Sequence, residues 1–387
     1  MNKYNTILGQ MLGLVSRSRF ENLVTEHQTE YGAKGFKSWT QFVSMVFGQV
    51  SGQHGLRSIE AGMNSQRNSW YHLGIPAEAN EVKRSSLSYA NKHRSAELFK
   101  GLFETILKQA QEGRIPHGFR FKNPLYSVDS TTIDLCLKLF PWADFREHKG
   151  GIKLTVKLDH QGKIPCFVID SKAREHDIQK IRLVPFKADD VVVFDRGYTD
   201  YGYFRTLDSQ KTWFVTRLKK NAVYRRVGKR EVIKNKGIVS DYEILLKKYS
   251  KTERLRKIIS RDKKTGKKIT LITNNLKWSP ATVAGIYKAR WQIELFFKAI
   301  KQNLKIKRFY GNSQNAVMTQ LWIALIVYLL FYILKVQTKK MELSFTMFIS
   351  VIRTMLFQRM SLFEWTLDPS TPKKEEMCFT GQLEFVW

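Results

Sequence analysis

The sequence predicts a mixed α/β protein whose core is interrupted by a basic β-rich insertion and preceded by a helical region. Three observations carry that prediction. Spaced apolar residues dominate the first 115 positions, strand-like runs alternate with short helical ones from about 125 to 220, and glycine-punctuated strand pieces follow. With 387 residues, 43% hydrophobic and 13% aromatic, the chain can bury at least one sizeable core.

In chain order, residues 1–115 form the expected helical region. "SWTQFVSMVFGQVSGQHGLRSIEAGM" (Ser38–Met63) is broken by Gly52 and Gly55, and "RSSLSYANKHRSAELFKGLFETILKQA" (Arg84–Ala110) opens on serines suited to capping a helix. Leu87–Arg94 offers Ser, Tyr, Asn, Lys, His and Arg, a surface fit for DNA or an ordinary solvated face. Residues 116–213 then carry strand patterns at Leu125–Leu137 and at Gly151–Asp170, the latter folded into a hairpin at "DHQG". A short helix at "HDIQKIRLV" precedes Val191–Phe194, an apolar run bounded by turn residues and so a strand covered on both faces. "YGYFRTLDSQ" reads as helix and "TWFVTRLKK" as strand.

Residues 214–276 contain the strand-like pieces "AVYRRV", "REVIKN", "LRKIIS" and "KKITLIT". Ser279 and Pro280 then supply an N-cap and a first-turn proline, opening a helix that runs through Leu304 within a second core part, 277–338. "LWIALIVYLLFYILKV" imitates a membrane span, but its unbroken apolar run, Leu321–Leu334, is 14 residues. A bilayer core needs about 20, so a buried core helix is expected and no membrane. The tail, 339–387, offers one amphipathic helix around "FTMFISVIRTMLFQRM" and a Pro/Ser/Lys-rich end.

Charge narrows the partners. The net charge is +31, and Arg217–Lys268 alone holds 20 Lys/Arg against 5 Asp/Glu. A field of that size attracts polyanions, nucleic acid above all. Cys136, Cys166 and Cys378 form no CxxC or zinc spacing, which fits a reduced, intracellular protein. The first twenty residues lack a signal-peptide core.

One helix poses the sharpest question. "YKARWQIELFFKAIKQNLKI" (Tyr287–Ile306) sets a single acid, Glu294, among five basic residues. At about 100° per residue, Tyr287, Arg290, Glu294, Lys298, Lys301 and Lys305 share one strip, while Ala289, Ile293, Phe296, Ile300 and Leu304 face the core. Surface pairs worth about 0.3–0.5 kcal/mol each would be the plain explanation. Two further acids favour another. Asp195 closes the strand "VVVF", and Asp129 stands in a comparable place after "LYSV". Open α/β sheets place ligands at the carboxyl ends of strands, where a carboxylate on an apolar strand needs a cation. Three carboxylates with no histidine or cysteine cluster suit two Mg²⁺ or Mn²⁺ ions, the arrangement of in-line phosphoryl transfer. The cations beside Glu294 would grip the phosphates.

These residues resemble a family. Tyr287, Arg290, Glu294 and Lys301 meet Y-x2-R-x3-E-x6-K in full; with "DST" at Asp129 and "DRGY" at Asp195 they are similar to the DDE transposases of the insertion sequence 4 (IS-four) family. "HKGGIKL" and "REHD" agree as well, although Ile178 stands where many relatives carry a small hydroxyl residue, and His176 is given no catalytic part. The resemblance implies an RNase H-like core split by a β-rich insertion, with Asp129, Asp195 and Glu294 as catalytic metal ligands. It also implies that Tyr287, Arg290 and Lys301 hold an end phosphate, with Lys298 beside them. The implied activity is cut-and-paste transposition on double-stranded DNA, with terminal inverted repeats and target DNA as substrates. A homodimer in the DNA complex and a bacterial, cytoplasmic, nucleoid-associated location follow by the same resemblance. Two alternatives stay open: a two-metal nuclease without strand transfer, and a domesticated DNA-binding protein without catalysis.

Overall fold

The computed structural model describes residues 5–33, 35–76, 78–112, 116–146, 149–172, 177–232, 237–250, 252–262, 265–304, 306, 308–340 and 342–362. "REHD" up to His176, the last three residues of "REVIKN", Lys305, Cys378 and the Pro/Ser/Lys-rich end lie outside them.

Six helices come first: α1 (Ile7–Leu12), α2 (Arg17–Glu26), α3 (Ser38–Ser51), α4 (Leu56–Ser65), α5 (Arg84–His93) and α6 (Glu97–Glu112). The break between α3 and α4 falls where the two glycines predicted it. Gly52 ends α3 in the left-handed conformation (φ 74°), which a Cβ would strain. The expected serine cap of α5 is not formed: Lys83 holds the N-cap position without a side-chain bond, and the serines lie within the first turn.

Ten strands then hydrogen-bond into one mixed sheet. They are β1 (Leu125–Leu135), β2 (Asp144–Arg146), β3 (Lys149–Asp159), β4 (Ile164–Lys172), β5 (Val191–Phe194), β6 (Trp213–Arg217), β7 (Tyr224–Lys229), β8 (Ile238–Leu246), β9 (Leu255–Arg261) and β10 (Lys268–Thr273). Their order is β2-β3-β1-β5-β6-β10-β9-β8-β7, with β4 paired to β3. The middle, β1-β5-β6, is parallel, and everything flanking it is antiparallel. The basic β-rich stretch therefore extends the same sheet rather than standing apart from it.

The central strands are covered on both faces, as their apolar runs require. On one face Val128, Val192 and Phe194 pack with Phe204 and Leu207 of α8 (Tyr201–Ser209) and Ile181 of α7 (Asp177–Ile181). On the other, Leu125, Val191, Val193 and Val215 meet Val283, Ile286 and Tyr287 of α9 (Pro280–Ala289). Ser279 caps α9, its hydroxyl accepting from the Thr282 amide at 3.1 Å, as the Ser-Pro pair predicts.

The helix expected from 280 to 304 is not continuous. α9 ends at Ala289 and α10 (Trp291–Asn303) restarts one residue later, with Arg290 at the joint in a tight turn whose amide donates to Tyr287. Such i→i−3 bonding tightens the turn and alters the angular phase, so the predicted six-residue strip is divided in two. The core side of the second half is as expected: Ile293, Phe296, Ile300 and Leu304 are buried.

α11 (Gln314–Gln337) is long and apolar enough to cross a membrane, but its most apolar window is wholly buried inside the fold. A helix apolar all round belongs in a core. α3, α5, α6 and α10 pack against it, and α12 (Phe345–Thr354) joins the same cluster. The N-terminal helices and the second core part thus share one hydrophobic interior.

Candidate active site

Val128 pairs with Phe194 in the parallel β1–β5 ladder, so Asp129 and Asp195 leave the paired run side by side. Asp195 closes β5 as expected and turns into a 3₁₀ segment, Arg196–Tyr198, accepting from the Gly197 amide at 3.4 Å. Asp129 departs from expectation. It lies inside β1, which continues to Leu135 because the antiparallel neighbour β3 goes on satisfying its backbone, pairing Asp129 with Val156. It ends the parallel pairing, not the strand.

Two tyrosines brace these acids across the chain. The Tyr198 hydroxyl donates to Asp129 Oδ1 at 2.9 Å, and the Tyr287 hydroxyl donates to Asp195 Oδ1 at 3.1 Å. The turn carrying Asp195 therefore holds Asp129, and α9, through Tyr287, holds Asp195. Burial raises the Asp129 pKa, against the lowering effects of Tyr198, the Ser130 amide and Arg290. At Asp195 burial also acts upward, but the Arg196 and Gly197 amides, Arg290 and Tyr287 outweigh it and hold the carboxyl below its ordinary value. Burial, with the Asp195 charge, pushes Tyr287 up to about 12, so it remains a donor at neutral pH.

Glu294 meets the pair through Arg290. Arg290 Nη2 bonds Glu294 Oε1 at 2.6 Å, and the guanidinium lies 5.7 Å from the Tyr287 ring centroid. Burial would lower the Arg290 pKa, but the charge and hydrogen bond of Glu294, with the Asp195 charge, raise it above its ordinary value. Asp129 also feels both Arg290 and Glu294. One cation thus faces all three predicted acids. Its Nε is buried with no hydrogen-bond partner, an orphaned donor of the kind an anionic ligand satisfies.

Among the described residues, no three His, Cys, Asp or Glu side chains stand close enough together to hold a metal ion. Asp129 and Asp195 provide a hard, all-oxygen donor pair suited to a divalent cation. Glu294 is not part of that pair; its Oε1 is taken by Arg290. Of the predicted phosphate ligands, Lys301 donates from Nζ to the Thr132 carbonyl of β1 at 3.0 Å, tying α10 to that strand, and Lys298 is exposed.

Tyr198 is the residue that reading the sequence missed, although it stands in "DRGY"; its partner is 69 positions away. Tyr198→Phe keeps the buried ring and removes the hydroxyl. The expected cost is about 1–3 kcal/mol of stability, the range for losing a bond to a charged or buried group, read by urea unfolding at neutral pH. A midpoint equal to that of the unmodified protein would mean that the hydroxyl does not hold Asp129.

Comparison with known proteins identifies the family. A family described as a transposase DDE domain matches residues 120–330, which span Asp129, Asp195 and Glu294. A second, described as a domain of unknown function (DUF4372), matches residues 3–76. The chain is 30% identical to the protein named as transposase y4zB of Sinorhizobium fredii, over 78% of this chain and 85% of that one. It is also 30% identical to the protein named as the transposase of insertion sequence element IS5377 of Geobacillus stearothermophilus, over 91% of each chain. Identity is 24% to the protein named as a transposase of insertion sequence element IS4SA of Synechocystis sp., over 84% of this chain and 90% of that one.

Proposed function

The chain belongs to the transposase DDE domain family, and from that premise we propose that it cuts an insertion sequence out at its terminal inverted repeats and joins the ends to target DNA. Asp129, Asp195 and Glu294 are the proposed catalytic carboxylates. The observation that supports the reading is the side-by-side exit of Asp129 and Asp195 from the β1–β5 ladder, with Tyr287 bonded to Asp195 and Arg290 bonded to Glu294.

Two Mg²⁺ or Mn²⁺ ions held at those carboxylates would supply charge neutralisation and an activated attacking oxygen. The chain's own residues do the rest. Tyr198 and Tyr287 fix the orientations of Asp129 and Asp195. Arg290 guards Glu294 until DNA arrives; its unpartnered Nε then takes a phosphate oxygen, and the guanidinium follows, freeing Glu294. Lys298, and Lys301 once released from Thr132, add charge along the same backbone. Water first cleaves the phosphodiester at an element end, and the freed 3′-hydroxyl then attacks target DNA.

In this reading the β1-β5-β6 region is an RNase H-like core, formed by 116–213 and 277–338, with 214–276 as its β-rich insertion, 1–115 as the end-recognition region and 339–387 as a helical tail. Two DNA ends must be held at once, so a homodimer forms on DNA, in the bacterial cytoplasm at the nucleoid. The deciding experiment supplies pre-cut ends and supercoiled target with Mg²⁺. Covalently joined product is expected, whereas hydrolysis alone would leave the two-metal nuclease standing.

The N-terminal helices share their core with α11, so end recognition is best probed by point changes. The exposed face of α5 carries Ser85, Ser88, Tyr89 and Lys92, while its buried side is anchored by Asn91, whose amide donates toward Met45 and whose Oδ1 accepts from Gln41. Replacing Ser88, Tyr89 and Lys92 by alanine should weaken binding to the terminal repeat by roughly ten- to a hundredfold at fixed salt, in line with about 1–3 kcal/mol for each base pair no longer read. Affinity for unrelated duplex should change much less. Equal losses on both would place end recognition elsewhere.

A further inference from the structure

Two clefts open side by side at the carboxyl ends of β5 and β6 and share Lys219 and Asn221. The first begins at Asp195 and includes Lys220; the second runs on past Tyr201, Ala222 and Val223 to Leu246, Lys247 and Lys248. With volumes of about 510 and 560 Å³, each can admit a ligand the size of a nucleotide. Together they form one path leading away from the proposed catalytic centre.

Its chemistry is mixed in a telling way. Lys220, Lys247 and Lys248 are exposed at the rim, and among the described residues no carboxylate lies within ion-pair distance of any of them. Nearby basic residues of the same sheet are neutralised instead: Arg230 and Arg254 by Glu243, and Arg256 by buried Asp241. Charge is left open at the cleft and cancelled beside it. Between the lysines lie apolar and aromatic surfaces, with Val223 67% exposed and the Tyr201 ring seated edge-on against Phe204 at 5.9 Å. A duplex offers such a surface only phosphates, because its bases are stacked inward. An unpaired strand offers both phosphates and base faces.

We infer that this double cleft holds a single DNA strand leading from the phosphate at Asp195. Lys220, Lys247 and Lys248 contact its backbone, and its bases lie on Tyr201 and Val223. The inference rests on the transposase reading only for which strand is held; the binding itself requires no catalysis.

Fluorescence anisotropy of the full chain with a labelled ten-nucleotide oligothymidylate, and with duplex of equal length, tests it. In the triple variant Lys220→Ala, Lys247→Ala and Lys248→Ala, single-strand affinity should fall at least tenfold. The slope of log affinity against log salt should flatten by about 2, at roughly 0.7 for each phosphate that a lysine no longer neutralises. Duplex affinity should fall less than threefold, which also shows that the variant is folded. Unchanged single-strand binding, or equal losses on both ligands, overturns the inference. These binding readouts require neither Mg²⁺ nor strand joining, so failure of the catalytic assignment and failure of the cleft give different results.

Discussion

Glu294→Gln is expected to bind DNA as tightly as the unmodified protein and to lose Mg²⁺-dependent cleavage by at least about a thousandfold, some 4 kcal/mol at 1.36 kcal/mol per tenfold change in rate. Gln is isosteric, and its amide oxygen can still accept from Arg290 Nη2, now 2.6 Å from Glu294 Oε1. The core side of α10, formed by Ile293, Phe296 and Ile300, is untouched, so the fold should not change. What disappears is the charge, and a neutral amide is a poor third ligand for a hard divalent cation. Arg290 also becomes less neutralised, which favours phosphate, so duplex affinity should stay level or rise slightly. Gel assays of nicking at the element end, beside anisotropy with the same DNA, separate the two effects. Mg²⁺-dependent nicking that survives the substitution removes Glu294 from the mechanism.

Much of the fold is legible in the chain because binary patterning is legible. Val191–Phe194 is predicted to the residue, since a strand buried on both faces is an apolar run with abrupt edges. α11 is expected as a core helix and its most apolar window is wholly buried, although the helix as a whole is far longer than the 14-residue unbroken run. β8 is missed for a physical reason: "IVSDYEILL" places Asp241 on its inward face, where Arg256 neutralises it, both almost fully buried. A buried ion pair breaks the alternation that marks a strand. The strand pattern from Leu125 to Leu137 is met by β1, which the β3 partner keeps extended through "DSTT" as far as Leu135.

The site is legible in its residues rather than in its contacts. The spacing of Tyr287, Arg290, Glu294 and Lys301 reveals a shared helix surface, but not the tight turn at Arg290 that splits it. Nor does it reveal that Lys301 commits its ammonium to the Thr132 carbonyl. The tyrosine braces join positions 69 and 92 residues apart, distances over which local pattern carries no information.

Arg290→Ala is expected to lower stability and, at the same time, to make it depend on Mg²⁺. Arg290 is only 15% exposed, and it bonds Glu294 while its charge also acts on Asp129 and Asp195. Breaking one side of a buried pair costs about 3–5 kcal/mol, and the 31% exposure of Glu294 argues for the lower figure. For a chain this long, about 3 kcal/mol corresponds to a melting midpoint roughly 4 °C lower. Glu294 would then lose its ion pair, and Asp129 and Asp195 the positive charge near them, with Asp129 already pushed up by burial. A divalent cation can take the place Arg290 vacated. Any ligand that binds only the folded state stabilises it by about 2.7 kcal/mol at a hundred times its dissociation constant, so saturating Mg²⁺ should restore most of the lost midpoint. In the unmodified protein the guanidinium competes for the same carboxylates, and the Mg²⁺ increment should be smaller. Differential scanning fluorimetry with and without Mg²⁺ on both proteins provides the comparison, free of any activity measurement. Equal Mg²⁺ increments in the two would mean that Arg290 and the metal do not share those acids, and the assignment of Asp129, Asp195 and Glu294 as one coordination set would have to be abandoned.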